Sequence, residues 1–257
     1  MSDCIFKLDN ITFAYPMNEP VLSDFSLSIG KGQRVCILGA NGCGKSTLLK
    51  IFAGLLLQQS GDFYAFGSKA DLAAFKKEDL KLYHRKVGYI FQDSDVQLFC
   101  SNVREELAFG PLQMGMGAEE SLAKVDAIAK ELDIEKLLDN PPYHLSGGEK
   151  KKVAIASVLI TDPEVIILDE PTNDLDPRSQ TWLLKLLRSL GDEGKTLIFA
   201  THNLELVPHV ADRAILFGED HRIHADLPVR EMLSDVSLLQ SVNLVDEHFH
   251  THPWDFE

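Results

Sequence analysis

The stretch Gly39-Ala-Asn-Gly-Cys-Gly-Lys-Ser46 decides how this chain is expected to fold. It matches the pattern GxxxxGK[ST], and it lies between a short apolar run at 35–38 and a helical pattern that begins at Thr47. A glycine-rich turn between a strand and a helix presents backbone N–H groups and the positive end of a helix dipole to an anion. The context therefore predicts a loop that binds nucleotide phosphates, and it disfavours an ordinary glycine-rich turn.

Individual positions in this loop have predicted roles. The side chain of Lys45 is expected to reach the β- and γ-phosphates, and the hydroxyl of Ser46 is expected to ligate Mg²⁺. Cys43 stands among backbone amides that would stabilise a thiolate, although a small space-filling side chain is the simpler interpretation. The candidate nucleotide-binding residues of the stretch are Gly39, Ala40, Asn41, Gly42, Cys43, Gly44, Lys45, Ser46 and Thr47.

Short apolar runs recur along the chain and alternate with helical patterns. The runs lie at 35–38, 87–91, 165–168, 196–200 and 214–217. Runs of this kind suit strands buried on both faces, so a mainly parallel sheet between layers of helices is predicted. The first 30 residues instead alternate with the period of a half-exposed strand, which predicts an antiparallel β entry. Helix-forming composition from about 93 to 157 predicts a helical insertion into this α/β core.

The composition limits the possible functions. The chain has 257 residues, of which 45% are hydrophobic and 25% charged, so we expect one large folded domain or two small ones. Its formal charge of −14 opposes a nucleic-acid partner. The four cysteines show no CxxC spacing, which disfavours a zinc site and a disulfide framework. We expect neither a signal peptide nor a membrane span, because no apolar run reaches roughly 18 residues.

Two acids, Asp169 and Glu170, directly follow the apolar run at 165–168. Ligands of α/β sheets bind beyond the carboxyl ends of the strands, so both side chains are expected at the site. Asp169 is a candidate for holding Mg²⁺ through water, and Glu170 is a candidate for polarising an attacking water. His202 follows another apolar run and is a candidate contact for a γ-phosphate. The alternatives are a solvated acidic turn and a structural histidine.

The segment Ser146-Gly147-Gly148-Glu149 opens a further predicted helix. The Ser-x-x-Glu spacing is that of a capping box, which by itself explains a helix start. Capping does not require two glycines, however, and bare amides at a helix start form an anion site. A phosphate held by a second subunit is the predicted occupant.

Because of these motifs, the sequence resembles the nucleotide-binding subunit of an ABC transporter over about residues 4–225. The matching motifs are the Walker A stretch 39–47, the Q-loop at Gln92, the signature 145–149, the Walker B stretch 165–170, the D-loop 173–176 and the switch residue His202. The resemblance implies ATP and Mg²⁺ as cofactors and ATP hydrolysis as the activity. It assigns catalysis to Glu170, His202 and Gln92, and Mg²⁺ binding to Ser46, Gln92 and Asp169.

The resemblance also implies a fold and an assembly. The fold is a P-loop NTPase core of the ABC ATPase type, with an N-terminal antiparallel β subdomain and an inserted α-helical subdomain. The ATP-binding domain is predicted at 1–225 and a C-terminal extension with an acidic, His-rich tail at 226–257. Two copies are expected to pair head to tail, so that the signature residues of one copy face ATP in the other. Tyr15 matches the aromatic on which adenine stacks, although it shares its strand face with apolar residues of a core.

A narrower resemblance concerns residues 91–99 and 103–111, which are similar to the ATPases of energy-coupling-factor importers, above all the cobalt and nickel branch. It implies a peripheral protein at the cytoplasmic face of the cell membrane that drives a transmembrane coupling subunit and a substrate-binding membrane subunit. Cobalt or nickel is the predicted cargo. A vitamin such as riboflavin or biotin is the alternative cargo, and a soluble ABC-type ATPase is a further alternative.

Two predictions concern surfaces. An exposed apolar patch centred on Leu98 and Phe99 is expected to receive the membrane partner, and burial inside the helical insertion is the alternative. Other candidates for this patch are Val96, Leu107 and Phe109. Near the chain end, His248, His250 and His252 have the spacing of three ligands that converge on one Ni²⁺ or Co²⁺ ion, although a solvated terminus is the simpler interpretation.

Overall fold

The computed structural model describes residues 4–245. The predicted metal ligands His248, His250 and His252 lie outside the described residues. The α/β class with an antiparallel entry and a mainly parallel sheet is confirmed.

An antiparallel sheet forms the N-terminal entry, as the alternating pattern predicts. In spatial order its strands are β2 (Pro20–Gly30), β1 (Cys4–Ala14), β4 (Ser60–Ala65) and β5 (Ser68–Lys69). Along β1, Phe6, Leu8 and Ile11 are buried, whereas Lys7 and Asn10 are exposed. One face of this sheet therefore packs into the protein and the other faces solvent.

The second sheet is mainly parallel and carries the phosphate loop. In spatial order its strands are β10 (Ile223–Pro228), β9 (Arg213–Phe217), β3 (Arg34–Gly39), β8 (Thr196–Thr201), β7 (Val165–Asp169) and β6 (Val87–Ile90). Strands β9, β3, β8, β7 and β6 run parallel, while β10 pairs antiparallel with β9 and was not predicted from the sequence. Every residue of β7 and β8 is buried, as expected for strands covered on both faces.

Helices cover both faces of this sheet and form the insertion. In the described part of the chain they are α1 (Lys45–Phe52), α2 (Lys77–Lys86), α3 (Ser94–Gln97), α4 (Val103–Gln113), α5 (Ala118–Glu131), α6 (Gly147–Leu159), α7 (Pro177–Asp192), α8 (Val207–Val210), α9 (Val229–Ser234) and α10 (Val236–Ser241), with 3₁₀ turns at Glu135–Leu137 and Pro142–His144. None of the helices within residues 4–245 has the length and apolarity needed to span a membrane.

Three apolar clusters hold these layers together. The first fills the space between the two sheets and includes Phe6 and Ile198. The second lies on the opposite face of the parallel sheet, where Phe199 packs near Leu187 of α7. The third lies among the helices of the insertion and includes Leu107. Each large apolar side chain buried in this way contributes about 1.5–3 kcal/mol relative to an exposed one.

Helix α6 joins the insertion to the sheet. Its Ile155 belongs to the second cluster and its Val153 to the third, so the helix packs on both sides. At the chain's other end, Met232 of α9 and Leu239 of α10 belong to the second cluster. The predicted boundary between residues 225 and 226 falls inside β10, and the domain boundaries stay a prediction.

Candidate functional site

The phosphate loop connects the end of β3 to the start of α1, where the sequence predicts it. Gly39 has a φ of +156°, and a Cβ there would lie 2.6 Å from Sγ of Cys43 and 2.8 Å from the carbonyl oxygen of Phe217. Gly44, with a φ of +111°, stands at the N-terminal end of α1. Only glycine adopts these conformations without strain, so both positions depend on it. Asn41 and Gly42 at the loop tip are exposed, as an anion site requires.

Cys43 is buried beneath this loop. Burial raises the pKa of its thiol, and the nearby Lys45 only partly opposes that shift. The space-filling interpretation of Cys43 is therefore favoured over a reactive thiolate.

Lys45 lies below the loop and is also buried. Its ammonium group donates hydrogen bonds to the carbonyl oxygens of Gly39, at 2.7 Å, and Ala40, at 3.0 Å. It also lies 3.8 Å from Oε1 of Glu170, which links the loop to the end of β7. The positive charge is thus held at the site by the protein itself.

Ser46 and Asp169 form the predicted oxygen pair. The hydroxyl of Ser46 donates a 2.9 Å hydrogen bond to Oδ1 of Asp169, and the hydroxyl of Tyr89 donates a 3.2 Å bond to Oδ2. Neighbouring hydroxyl and carboxylate oxygens are the donor set that Mg²⁺ prefers, so these residues fit the ion. Sequence reasoning missed Tyr89, because nothing marks a tyrosine in a strand as a partner of an acid 80 residues later.

Glu170 has an unusual backbone and a buried carboxylate. Its φ is +43°, in the left-handed region that non-glycine residues rarely adopt, and its backbone N–H donates to the carbonyl of Ala200 on β8. The backbone N–H of His202 lies 3.4 Å from Oε2, and Nδ1 of His202 lies 3.0 Å from Oε1. Nevertheless Oε1 has no properly oriented hydrogen bond among the described residues. A carboxylate oxygen that lacks a hydrogen bond and lies beside the phosphate loop is a candidate to accept a proton from water.

Tyr15 packs against the core and also lines the candidate site, and its stacking on adenine stays a prediction. It packs edge to face on Phe13, with ring centroids 5.0 Å apart, and its hydroxyl lies 3.2 Å from Oγ1 of Thr47. Its ring also lines the cavity above the phosphate loop, beside Val21.

Most predicted site residues surround one cavity of about 450 Å³. It is lined by Tyr15, Val21, Asn41, Gly42, Gly44, Lys45, Ser46, Thr47, Gln92, Glu170, Asn173 and His202. Asp169 contacts this set through Ser46, whereas the signature residues do not line the cavity. The volume falls within the range of small-ligand sites.

The signature residues form the capping box at the start of α6. Oε2 of Glu149 accepts hydrogen bonds from the hydroxyl of Ser146, at 2.7 Å, and from the backbone N–H of Ser146, at 2.9 Å, and these bonds lower the pKa of Glu149. The backbone N–H of Glu149 donates in turn to the Ser146 hydroxyl. Packing requires a glycine at position 148, because a Cβ there would lie 2.4 Å from Oγ of Ser179 on α7. Gly147 has no such close neighbour, and the residue is exposed.

A second cavity of about 310 Å³ lies beside the first. Gly147 lines it together with Lys150 and Lys151 of α6. Gln92 and Asn173 line both cavities and so stand at the junction between them.

The predicted patch for a membrane partner is only partly exposed. Leu98 is 9% exposed and belongs to the third cluster with Leu107, so the docking prediction for Leu98 is wrong and the core alternative holds. Phe99 is 66% exposed, Val96 69% and Phe109 42%. The rings of Phe99 and Phe109 meet edge to face at 4.9 Å. These three residues are called the apolar patch below.

Comparison with known proteins identifies the family of this chain. The family model for the ABC transporter matches residues 22–173. Over 244 residues, the chain is 42% identical to the nickel import ATP-binding protein of Rhodobacter capsulatus, covering 93% of this chain and 95% of that protein. Over 240 residues, it is 38% identical to the energy-coupling factor transporter ATP-binding protein of Methanocaldococcus jannaschii, with coverage of 93% and 85%.

Two solved structures are also similar. The cbiO1 structure from Clostridium perfringens, part of the ABC transporter complex cbiONQ, gives a TM-score of 0.80 at 35% identity and covers 95% of this chain and 96% of that chain. The dimeric ATP-binding cassette MJ0796, in a post-hydrolysis state with ADP and Pi, gives 0.78 at 28% identity, with coverage of 88% and 99%.

Proposed function

This chain belongs to the ABC transporter family, and from that premise we propose that it hydrolyses ATP at sites shared by two copies and thereby energises nickel or cobalt import. It is an ATP-binding subunit whose ATPase activity is coupled to transport. The proposal concerns the residues that act, the membrane partners and the cargo.

The observation that carries the proposal is the buried carboxylate of Glu170 beside the phosphate loop, whose Oε1 has no hydrogen bond among the described residues. In hydrolysis the oxygen of water bonds to the γ-phosphorus, the bond to the β–γ bridging oxygen breaks, and Glu170 accepts the proton of the water. His202 and Lys45, which flank the carboxylate, hold it in position. Ser46, Gln92 and Asp169 would hold Mg²⁺, and the bound ion would supply positive charge that offsets the charge of the phosphates.

Two copies are needed because the signature lies outside the ATP cavity of its own chain. A head-to-tail homodimer brings Ser146 and the exposed Gly147 to the ATP of the partner. The related MJ0796 cassette is dimeric, which supports this arrangement.

The apolar patch supports a membrane partner. Exposed aromatic pairs such as Phe99 and Phe109 are enriched at protein interfaces. We assign this patch to a transmembrane coupling subunit, which works with a substrate-binding membrane subunit. The chain would then act at the cytoplasmic face of the membrane as a peripheral protein.

The cargo is proposed from relatives named for nickel import. A vitamin remains the alternative cargo, because other relatives are named only as energy-coupling factor ATPases. A soluble ABC-type ATPase is less well supported, since these relatives are transporter subunits.

Transport by the reconstituted complex tests the proposal. The chain would be purified with both membrane subunits, placed in vesicles loaded with ATP, and supplied with radiolabelled Ni²⁺, Co²⁺ or riboflavin. We expect accumulation of Ni²⁺ or Co²⁺ by about tenfold or more over a matched Glu170→Gln complex. Accumulation of riboflavin alone would overturn the metal cargo. Full ATPase activity without membrane subunits, and no uptake with them, would favour the soluble alternative.

A further inference from the structure

Lys151 is a buried cation that the mechanism above does not use. It lies one turn into α6, just after the signature, and is 3% exposed. Within residues 4–245 no carboxylate lies at ion-pair distance from its ammonium group, and burial lowers its pKa. Burying an ammonium group costs free energy, so its position calls for specific partners.

Those partners are backbone carbonyls of the Q-loop. The ammonium group donates a 3.1 Å hydrogen bond to the carbonyl oxygen of Phe91 and a 2.8 Å bond to that of Gln92. Strand β6 ends at Ile90, so neither carbonyl is paired within the sheet. Hydrogen bonds from a charged donor are stronger than those between neutral groups.

A second side chain holds the same segment to the same helix. The amide of Gln97 accepts a 3.2 Å hydrogen bond from the backbone N–H of Phe91 and donates a 2.7 Å bond to the carbonyl of Ala154 on α6. A salt bridge of 2.6 Å between Lys150 and Asp95 adds a third contact, but it contributes little because the side chain of Asp95 is 67% exposed. The Q-loop is therefore attached to α6 rather than left free.

We propose that Lys151 is a positioning residue that fixes the backbone of Gln92 to the signature helix, so that ATP in a subunit's own cavity orients the signature for the partner's ATP. Gln92 lines the ATP cavity, and α6 begins directly after Ser146. One buried amino group thus connects the two ATP sites through a single subunit. The inference rests on the shared-site arrangement of the proposed function.

Substitutions on α6 test the proposal in steady-state hydrolysis. Lys151→Met keeps the length but removes both hydrogen bonds, Lys151→Arg keeps donors, and Lys152→Met is a matched control, because Lys152 lies over the Trp182 ring instead. We expect kcat to fall about tenfold in Lys151→Met with KM for ATP unchanged within about twofold, and Lys151→Arg to recover about half of kcat or more. A loss confined to KM, a kcat at the wild-type level, or an equal loss in Lys152→Met would overturn the proposal.

Dimer formation is a second measurement, and it would not change if Lys151 only stabilised its own surroundings. In a Glu170→Gln background, Lys151→Met should raise the ATP concentration for half-maximal dimerisation about tenfold, measured by light scattering. The Ser146→Arg substitution keeps the chain monomeric. In that background, the affinity for a fluorescent ATP analogue should differ by less than about twofold between Lys151→Met and the unsubstituted Lys151 chain. An unchanged dimerisation curve would overturn the proposal.

A third variant covers the case in which Lys151→Met does not fold. Lys151→Gln keeps N–H donors on a shorter side chain, and we expect kcat to fall about threefold with the same KM. Wild-type kcat in this variant would also contradict the proposal. If the unmodified chain neither hydrolyses ATP nor forms a dimer in the Glu170→Gln background, the proposed function itself fails, which is a separate result.

Discussion

Nδ1 of His202 lies 3.0 Å from Oε1 of Glu170, and this contact joins the ends of two neighbouring parallel strands. The buried carboxylate is also 3.8 Å from the ammonium group of Lys45. A carboxylate, an ammonium group and an imidazole thus lie together beside one cavity, held there by contacts within the protein. Such preorganisation is what phosphoryl transfer requires of a protein.

The first prediction concerns the imidazole. His202→Ala should lower kcat by roughly 10²-fold, because Glu170 and the γ-phosphate lose a positioning contact, while ATP binding stays within about twofold. The measurement is steady-state hydrolysis beside nucleotide titration. His209→Ala, on α8, serves as the control and should stay active. Turnover at the wild-type level in His202→Ala would remove the role assigned to this side chain.

The second prediction concerns the shared sites. Lys45→Ala and Ser146→Arg chains should each be inactive as homodimers, because every site then lacks its phosphate-loop cation or its signature serine. A mixed dimer of the two regains one intact site, so about half of the wild-type kcat or less should return on mixing. Full activity in either variant alone would contradict a head-to-tail arrangement.

The third prediction concerns the apolar patch. Phe99→Asp should abolish co-purification with the transmembrane coupling subunit and leave the isolated chain folded, since the ring is 66% exposed. Leu98→Asp should instead lower the free energy of unfolding by several kcal/mol, because it places a charge inside the third cluster. Met17→Asp, at an exposed site outside the patch, is the control for both. Normal complex formation by Phe99→Asp would show that the partner binds elsewhere.

The fourth prediction concerns the thiols. Burial raises the pKa of Cys36 and Cys43, whereas Cys4 is exposed. A thiol that is buried and protonated does not react, so an aromatic disulfide reagent at pH 8 should label Cys4 and spare Cys36 and Cys43 until the chain is unfolded. Cys43→Ala should keep ATPase activity within about twofold. Rapid labelling of Cys43 in the folded protein would restore the thiolate interpretation.

Sequence patterns predicted those parts of the site whose residues follow one another closely in the chain. The phosphate loop depends on glycines, a strand and a helix that are contiguous, and the acids at 169 and 170 follow a strand directly. The contacts from Lys151 to the carbonyls of Phe91 and Gln92 join positions that are 60 and 59 residues apart, respectively, and they follow no local pattern. They depend on how the insertion packs against the sheet, which periodicity does not specify.

The sequence pattern also did not predict which apolar residues near the Q-loop are buried. Leu98 and Phe99 are adjacent apolar residues, and only the packing of α4 and α6 decides that the first is buried and the second exposed. Helix α2 was not predicted because Tyr83 is its only buried residue, which leaves no apolar stripe to detect. The edge strand β10 alternates between half-buried and exposed residues and gives a similarly weak signal.

The measurement that tests the account most directly is the behaviour of Glu170→Gln with ATP. The amide preserves the shape of the side chain but cannot accept the proton, so turnover should fall by about 10²-fold or more while ATP binding persists. Size-exclusion chromatography should then show a dimer with ATP and a monomer without it. A monomer in both conditions, together with hydrolysis close to the wild-type rate, would contradict both the role of Glu170 and the shared ATP sites.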